Sequence, residues 1–180
     1  MTTVSTFLLV AFALLGAATV SAQSNQSIYT NLDPNQCRTL KQESSGAGYY
    51  LAQCPGIAGY KLLVEEGDLR DNITVVTPRG RKHSLDLWQV ISSGFSSVGK
   101  KAEWRAKKAA GKLVPVALIV RFSASEDSAD ATKTTSYLAV SKITPQEICV
   151  TDKIPPGAKA NEDARRAADA AASKPCLSRD

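Results

Sequence analysis

The sequence predicts an α+β protein, mostly antiparallel β-sheet with a C-terminal helix tethered by a disulfide. Three observations carry this expectation. From residue 49 onward, short runs rich in β-branched and aromatic residues alternate with Gly- and Pro-containing turns. The four cysteines fall into two bracketing pairs, Cys37 with Cys54 and Cys149 with Cys176. Near the end, Ala164, Ala167, Ala168 and Ala171 recur at helical spacing.

The elements follow in order. Residues 6–18 are uncharged and apolar, and Val20-Ser21-Ala22 is a small-x-small pattern, so residues 1–22 read as a signal peptide cut before Gln23. The apolar run falls short of the ~20 residues needed to cross a bilayer, and no second run of that length follows, so no transmembrane segment is expected in the mature chain. Residues 23–36 read as a polar N-terminal arm, and residues 37–180 as one disulfide-stapled, β-rich domain. Export makes two disulfides chemically reasonable. Of the three possible pairings, Cys37–Cys54 and Cys149–Cys176 each bracket one local unit; each bridge is worth about 3 kcal/mol in the chain-entropy model.

Residues 49–54, 60–65 and 72–77 read as three strands of a meander, with Cys54-Pro55-Gly56 and Gly67-Asp68 as turns. Residues 85–97 fit neither a helix nor a loop cleanly. Residues 103–107 and 114–122 are the next two strands, turning at Ala110-Gly111-Lys112. In the second, Val114, Val116, Leu118, Val120 and Phe122 make one wholly apolar face, and the other face turns polar only at Arg121, which marks a core strand. A polar loop over 123–134 leads to strands at 135–143 and 147–151. Asn161 is expected to cap the final helix, with Glu162 and Asp163 at its positive end and Pro175 closing it. An alanine face buries little area, so the helix needs the tether that Cys149–Cys176 supplies.

Charge is distributed unevenly. Between Arg79 and Arg121 ten Lys and Arg face only Asp86 and Glu103, a net of +8 in a chain whose total is +5. A basic segment of this kind suits an anionic envelope glycan, a lipid phosphate or an acidic protein. Export makes nucleic acid an unexpected partner despite Trp88, Phe95 and Trp104 lying among the charges. The candidate ligand-binding residues are Arg105, Lys107, Arg121 and Trp104. On a strand, Glu103 and Arg105 share one face and Trp104 takes the other.

Catalytic chemistry finds little support. His83, the single histidine, sits in the basic run Arg81-Lys82-His83 and reads as an exposed surface residue. Residues 94–99 (GFSSVG) miss the G-x-S-x-G spacing by one position. Glu65 and Glu66 are strand neighbours pointing to opposite faces. The cysteines lack the close Cys-x-x-Cys pair of a zinc centre, and no cofactor fingerprint is present, so no metal or cofactor is expected.

Tyr29-Thr30-Asn31-Leu32-Asp33 leading to Cys37, Cys54-Pro55-Gly56, Gly59-Tyr60, Gly67-Asp68-Leu69-Arg70, Glu103-Trp104-Arg105 and the later Cys149 resemble a family of small exported bacterial proteins without an assigned activity. The resemblance implies a shared exported fold and no particular chemistry. The expectation is therefore a non-catalytic binding protein, periplasmic or secreted, that turns a basic face to its partner. The alternatives are an envelope enzyme acting on glycan through carboxylates that converge in three dimensions (Glu65, Asp68, Asp71 and Glu103), or an enzyme inhibitor.

Overall fold

The computed structural model describes residues 24–46, 48–127 and 129–178; the expected signal peptide at 1–22 lies outside them. Among the described residues the strands are β1 (Gln26–Asn31), β2 (Arg38–Glu43), β3 (Tyr49–Pro55), β4 (Lys61–Gly67), β5 (Arg70–Val76), β6 (Lys82–Ser84), β7 (Ser96–Ala109), β8 (Lys112–Ser125), β9 (Thr134–Ile143) and β10 (Ile148–Ile154). A single-turn helix α1 (Leu87–Val90) lies between β6 and β7, and helix α2 (Ala160–Asp169) follows β10. The strands form two antiparallel sheets, ordered β1-β7-β8-β9-β10 and β2-β3-β4-β5-β6. The α+β class is thus a two-sheet sandwich with one helix on its outside.

Alternation explains the layers. Leu62 and Val64 of β4, with Ile73 and Val75 of β5, turn inward from the second sheet and meet Trp104, Leu118, Val120 and Phe122 from the first. Trp104 is fully buried, with its ring centre 6.0 Å from that of Tyr60. β8 reads apolar on both faces because both are covered: its other face, Ala117 and Ile119, packs with Leu138 and Val140 of β9 under Ala164 and Ala168 of α2.

Both expected disulfides are present, Cys37–Cys54 joining the start of β2 to β3, and Cys149–Cys176 joining β10 to the segment after α2. No helix among the described residues is long and apolar enough to cross a membrane.

Several sequence expectations are corrected. The polar arm contains β1, an edge strand paired with β7 from Gln26↔Ala106 to Asn31↔Lys101; only Ile28 packs into the core, so the strand shows almost no hydrophobic pattern. β2 is also an edge strand and all six of its residues are exposed, which leaves its sequence without a signal. The β4–β5 turn centres on Asp68 and Leu69, both at positive φ (52° and 59°), one residue later than expected. β7 begins at Ser96, inside the ambiguous stretch, and α1 is the short helix there.

Helix α2 starts one residue before the expected cap: Lys159 is the capping position and makes no side-chain cap hydrogen bond, while Asn161 lies in the first turn beside Glu162 and Asp163. His83 is half-buried, not exposed, and its Nε2 is enclosed without a partner. It pairs with Val75, whose side chain points into the core, so His83 shares that inward side.

Candidate functional site

The four candidate ligand residues do not come together. Trp104 faces the space between the sheets, fully enclosed, with its indole N–H donating to Thr30 Oγ1 at 2.9 Å. Arg105 points the opposite way, as expected, but under α2 and only 8% exposed. Its Nε and Nη2 donate to the two carboxylate oxygens of Asp169 at 2.9 and 2.8 Å, its Nη1 to Ser27 Oγ at 2.6 Å, and Nη2 also to the Asn25 carbonyl at 2.9 Å. A guanidinium with every nitrogen engaged is a fastening, not a free ligand contact.

The fastening continues as a network. The Ser27 hydroxyl donates to Glu103 Oε1 at 2.5 Å, and Arg165 of α2 holds the same carboxylate through Nε at 2.7 Å while its Nη2 reaches the Tyr29 hydroxyl at 2.9 Å. Burial by itself would raise the Glu103 carboxyl, but Arg165 and the hydroxyls of Ser27 and Tyr29 outweigh it and hold the group below the usual range. Asp169 follows the same logic, with Arg105 and Asn25 overcoming its burial. Glu103 and Arg105 do share a face, yet each pairs with the helix, so α2 is held by two charge pairs as well as by its disulfide.

Arg121 lies on the outer face of the first sheet, exposed, with Nη1 donating to Ser136 Oγ at 2.9 Å. It lines a cavity of about 140 Å³ with Lys101, Glu103 and Tyr29. Gly99 is required beside it: a Cβ there would stand 2.8 Å from Arg121 Cβ.

Lys107 belongs to a different feature. The β7–β8 ladder continues through Lys107↔Val114, Lys108↔Leu113 and Ala109↔Lys112, whereas the β1–β7 pairing stops at Ala106 and the β8–β9 pairing at Ala117. Residues 107–114 therefore form a two-stranded finger beyond both neighbouring strands, and all eight are exposed. Ala110 and Gly111 close it at positive φ (48° and 76°), the geometry of a two-residue hairpin turn. At its base, Arg105↔Ala117 is followed by Ala106↔Pro115, which leaves Val116 as a bulge. Val114 thus leaves the core expected of it: it is 37% exposed, as is Leu113, because no strand among the described residues flanks the ladder there.

Other basic residues accompany the finger. Arg81 Nη2 reaches the Pro145 carbonyl in the β9–β10 turn at 3.3 Å, and that turn follows directly on the end of β8–β9 pairing at the finger base. Arg79, Arg81, Lys82 and Lys61 thereby lie at the same end of the sandwich as Lys107, Lys108 and Lys112.

The opposite end carries the larger cluster of acids. The Ser96 N–H donates to the Leu69 carbonyl at 2.9 Å, which puts the β4–β5 turn beside the start of β7 and the 126–133 loop. Glu66 and Asp71 are direct cross-strand partners there and line a cavity of about 390 Å³ with Phe95 and Ser96. Burial, with Glu66 adding to it, pushes Asp71 up to about 6 even though it accepts the Val98 N–H at 2.7 Å.

The four carboxylates of the glycan-enzyme alternative are dispersed. Glu65 and Asp68 line one groove, Asp71 a second and Glu103 the third. Lys108 and Lys112 are finger residues that the sequence does not single out as site members. Their one signal is a Gly-centred turn flanked by lysines, with no acid between Arg105 and Arg121. Comparison with protein-family models, curated proteins and solved structures finds no match to this chain.

Proposed function

We propose that this chain is a non-catalytic exported binding protein that engages an anionic envelope component through the end of the sandwich bearing the β7–β8 finger. The observation that carries this reading is the finger itself, eight exposed residues with Lys107, Lys108 and Lys112 and no acid. No acidic partner neutralises these lysines among the described residues, whereas Arg105 is consumed by Asp169 and Lys142 by Glu147. Unpaired ammonium groups on a protruding element are suited to multiple phosphates or carboxylates presented in a layer. Two disulfides and the apolar leader support export.

The test is retention of the mature protein on envelope extract at low and high ionic strength. Retention at low salt that is lost at high salt is expected, since exposed charges are screened over about 10 Å at 0.1 M. Retention indifferent to salt, or none, contradicts the reading.

A further inference from the structure

Resting on that reading, we infer that the finger docks on a bilayer: the Ala110-Gly111 turn leads to the acyl boundary of an anionic membrane, Leu113 and Val114 follow into the headgroup layer, and the three lysines meet lipid phosphates. The pairing of side chains across the hairpin is what favours a lipid surface. Lys108 stands opposite Leu113 on one side of the ribbon, and Lys107 opposite Val114 on the other, which Lys112 shares, so each side carries lysine beside an apolar group. Beyond them come Lys112, paired with Ala109, and the small turn residues Ala110 and Gly111. A glycan chain or a free phosphate satisfies the lysines but leaves Leu113 and Val114 in water. A headgroup layer over an acyl boundary accommodates both, because lysine stems lie along apolar surface while their ammonium groups stay at phosphate level.

The backbone sets the depth. With no β1 or β9 partner beyond Ala106 and Ala117, the outward N–H and C=O groups of the finger have no ladder bonds among the described residues. Such groups are excluded from the hydrocarbon core but remain hydrated among headgroups, so insertion stops at the boundary. At about 3.3 Å per residue the three paired positions and the turn span roughly 10 Å, which matches the depth to which interfacial elements sink. The acidic end lies at the far end of the sandwich, away from the membrane.

The experiment uses the mature protein with vesicles of phosphatidylglycerol and phosphatidylcholine, compared with phosphatidylcholine alone, and a Leu113→Trp variant in a Trp88→Phe background as a depth probe. Expected are sedimentation with the anionic vesicles, a blue shift of the introduced indole, and its quenching by lipids labelled just below the headgroup. Lys107→Ala, Lys108→Ala and Lys112→Ala together are expected to weaken partitioning roughly a hundredfold, each lysine at an anionic surface supplying about fivefold. An unchanged unfolding midpoint shows that each variant is folded.

Charge-dependent vesicle binding with a wet, unquenched indole overturns insertion and leaves the basic-contact reading standing. Salt-sensitive retention on envelope extract without vesicle binding overturns the lipid partner alone and points to a glycan or an acidic protein. Failure of both assays overturns the inference and the proposed function together.

Discussion

The two ends of this sandwich are built from the same strands and differ in how their charges are kept. At the acidic end most acids are engaged, with Glu66 the exposed exception: Asp71 is half-buried and accepts the Val98 N–H, Arg70 pairs with Asp68 at 2.6 Å, Lys133 with Asp127 at 3.2 Å, and Lys153 with Glu126 at 3.7 Å. At the finger end, Lys107, Lys108 and Lys112 extend beyond the flanking strands with no such partners among the described residues. Paired charges hold loops in place; unpaired ones on a protruding ribbon remain available. The excess of positive charge in the sequence acquires a functional reading only through this difference.

The comparison is most easily broken at the finger. Reversing all three lysines (Lys107→Glu, Lys108→Glu, Lys112→Glu) is expected to reduce envelope association by more than about a hundredfold, since each lysine supplies roughly 1 kcal/mol at an anionic surface and repulsion adds to the deficit. The unfolding midpoint, read by circular dichroism, should stay in place because all three side chains are exposed. A comparable drop in stability would mean that the finger is structural.

Asp71 tests the acidic end through stability. Its folded pKa is raised from 3.8 to about 6, so the proton is held more tightly in the folded state. Its stabilising contribution is therefore complete below pH 4 and is lost as pH rises through 6. Asp71→Asn keeps an acceptor for Val98 and removes the buried charge, and should raise stability at neutral pH by on the order of 2 kcal/mol. Chemical denaturation on either side of pH 6 measures this; an equal gain at pH 4 would rule out the ionisation as cause. Envelope binding should be unaltered.

Arg105→Ala separates fastening from ligand binding. It breaks the bonds to Asp169 and Ser27 and should cost about 1–2 kcal/mol, moderated because Asp169 is 40% exposed. Amide exchange in α2 is expected to quicken while envelope association stays the same. Weaker association without loosening of the helix would restore Arg105 as a ligand-binding residue. The smallest effect belongs to the acidic loop. Neutralising Glu126, Asp127 and Asp130 together should change association by less than about twofold, since the loop lies at the opposite end of the sandwich and exposed charges are screened over about 8 Å at physiological salt.

The elements legible in the sequence are those with local causes. Alternation in β4, β5 and β8 announces two-sided packing, and the bracketing cysteines announce both bridges. β1 and β2 are hidden because edge strands bury little: a six-residue strand with every side chain in water carries no period-two signal. The site is half legible. Lys107 stays exposed and unpaired among the described residues and so remains in the proposed site, whereas Arg105 resembles a ligand residue because its partner in the fold, Asp169, lies 64 residues further on. Val114 looks like core because its own strand alternates correctly, and only the lengths of β1 and β9 leave it without a flanking strand among the described residues.

The most direct measurement is a hydrogen-exchange footprint of the mature protein bound to envelope membranes against the free protein. Protection is expected over residues 107–114, with the 126–133 loop and the β4–β5 turn exchanging as in the free state. Protection of the acidic end with an unprotected finger would contradict the account.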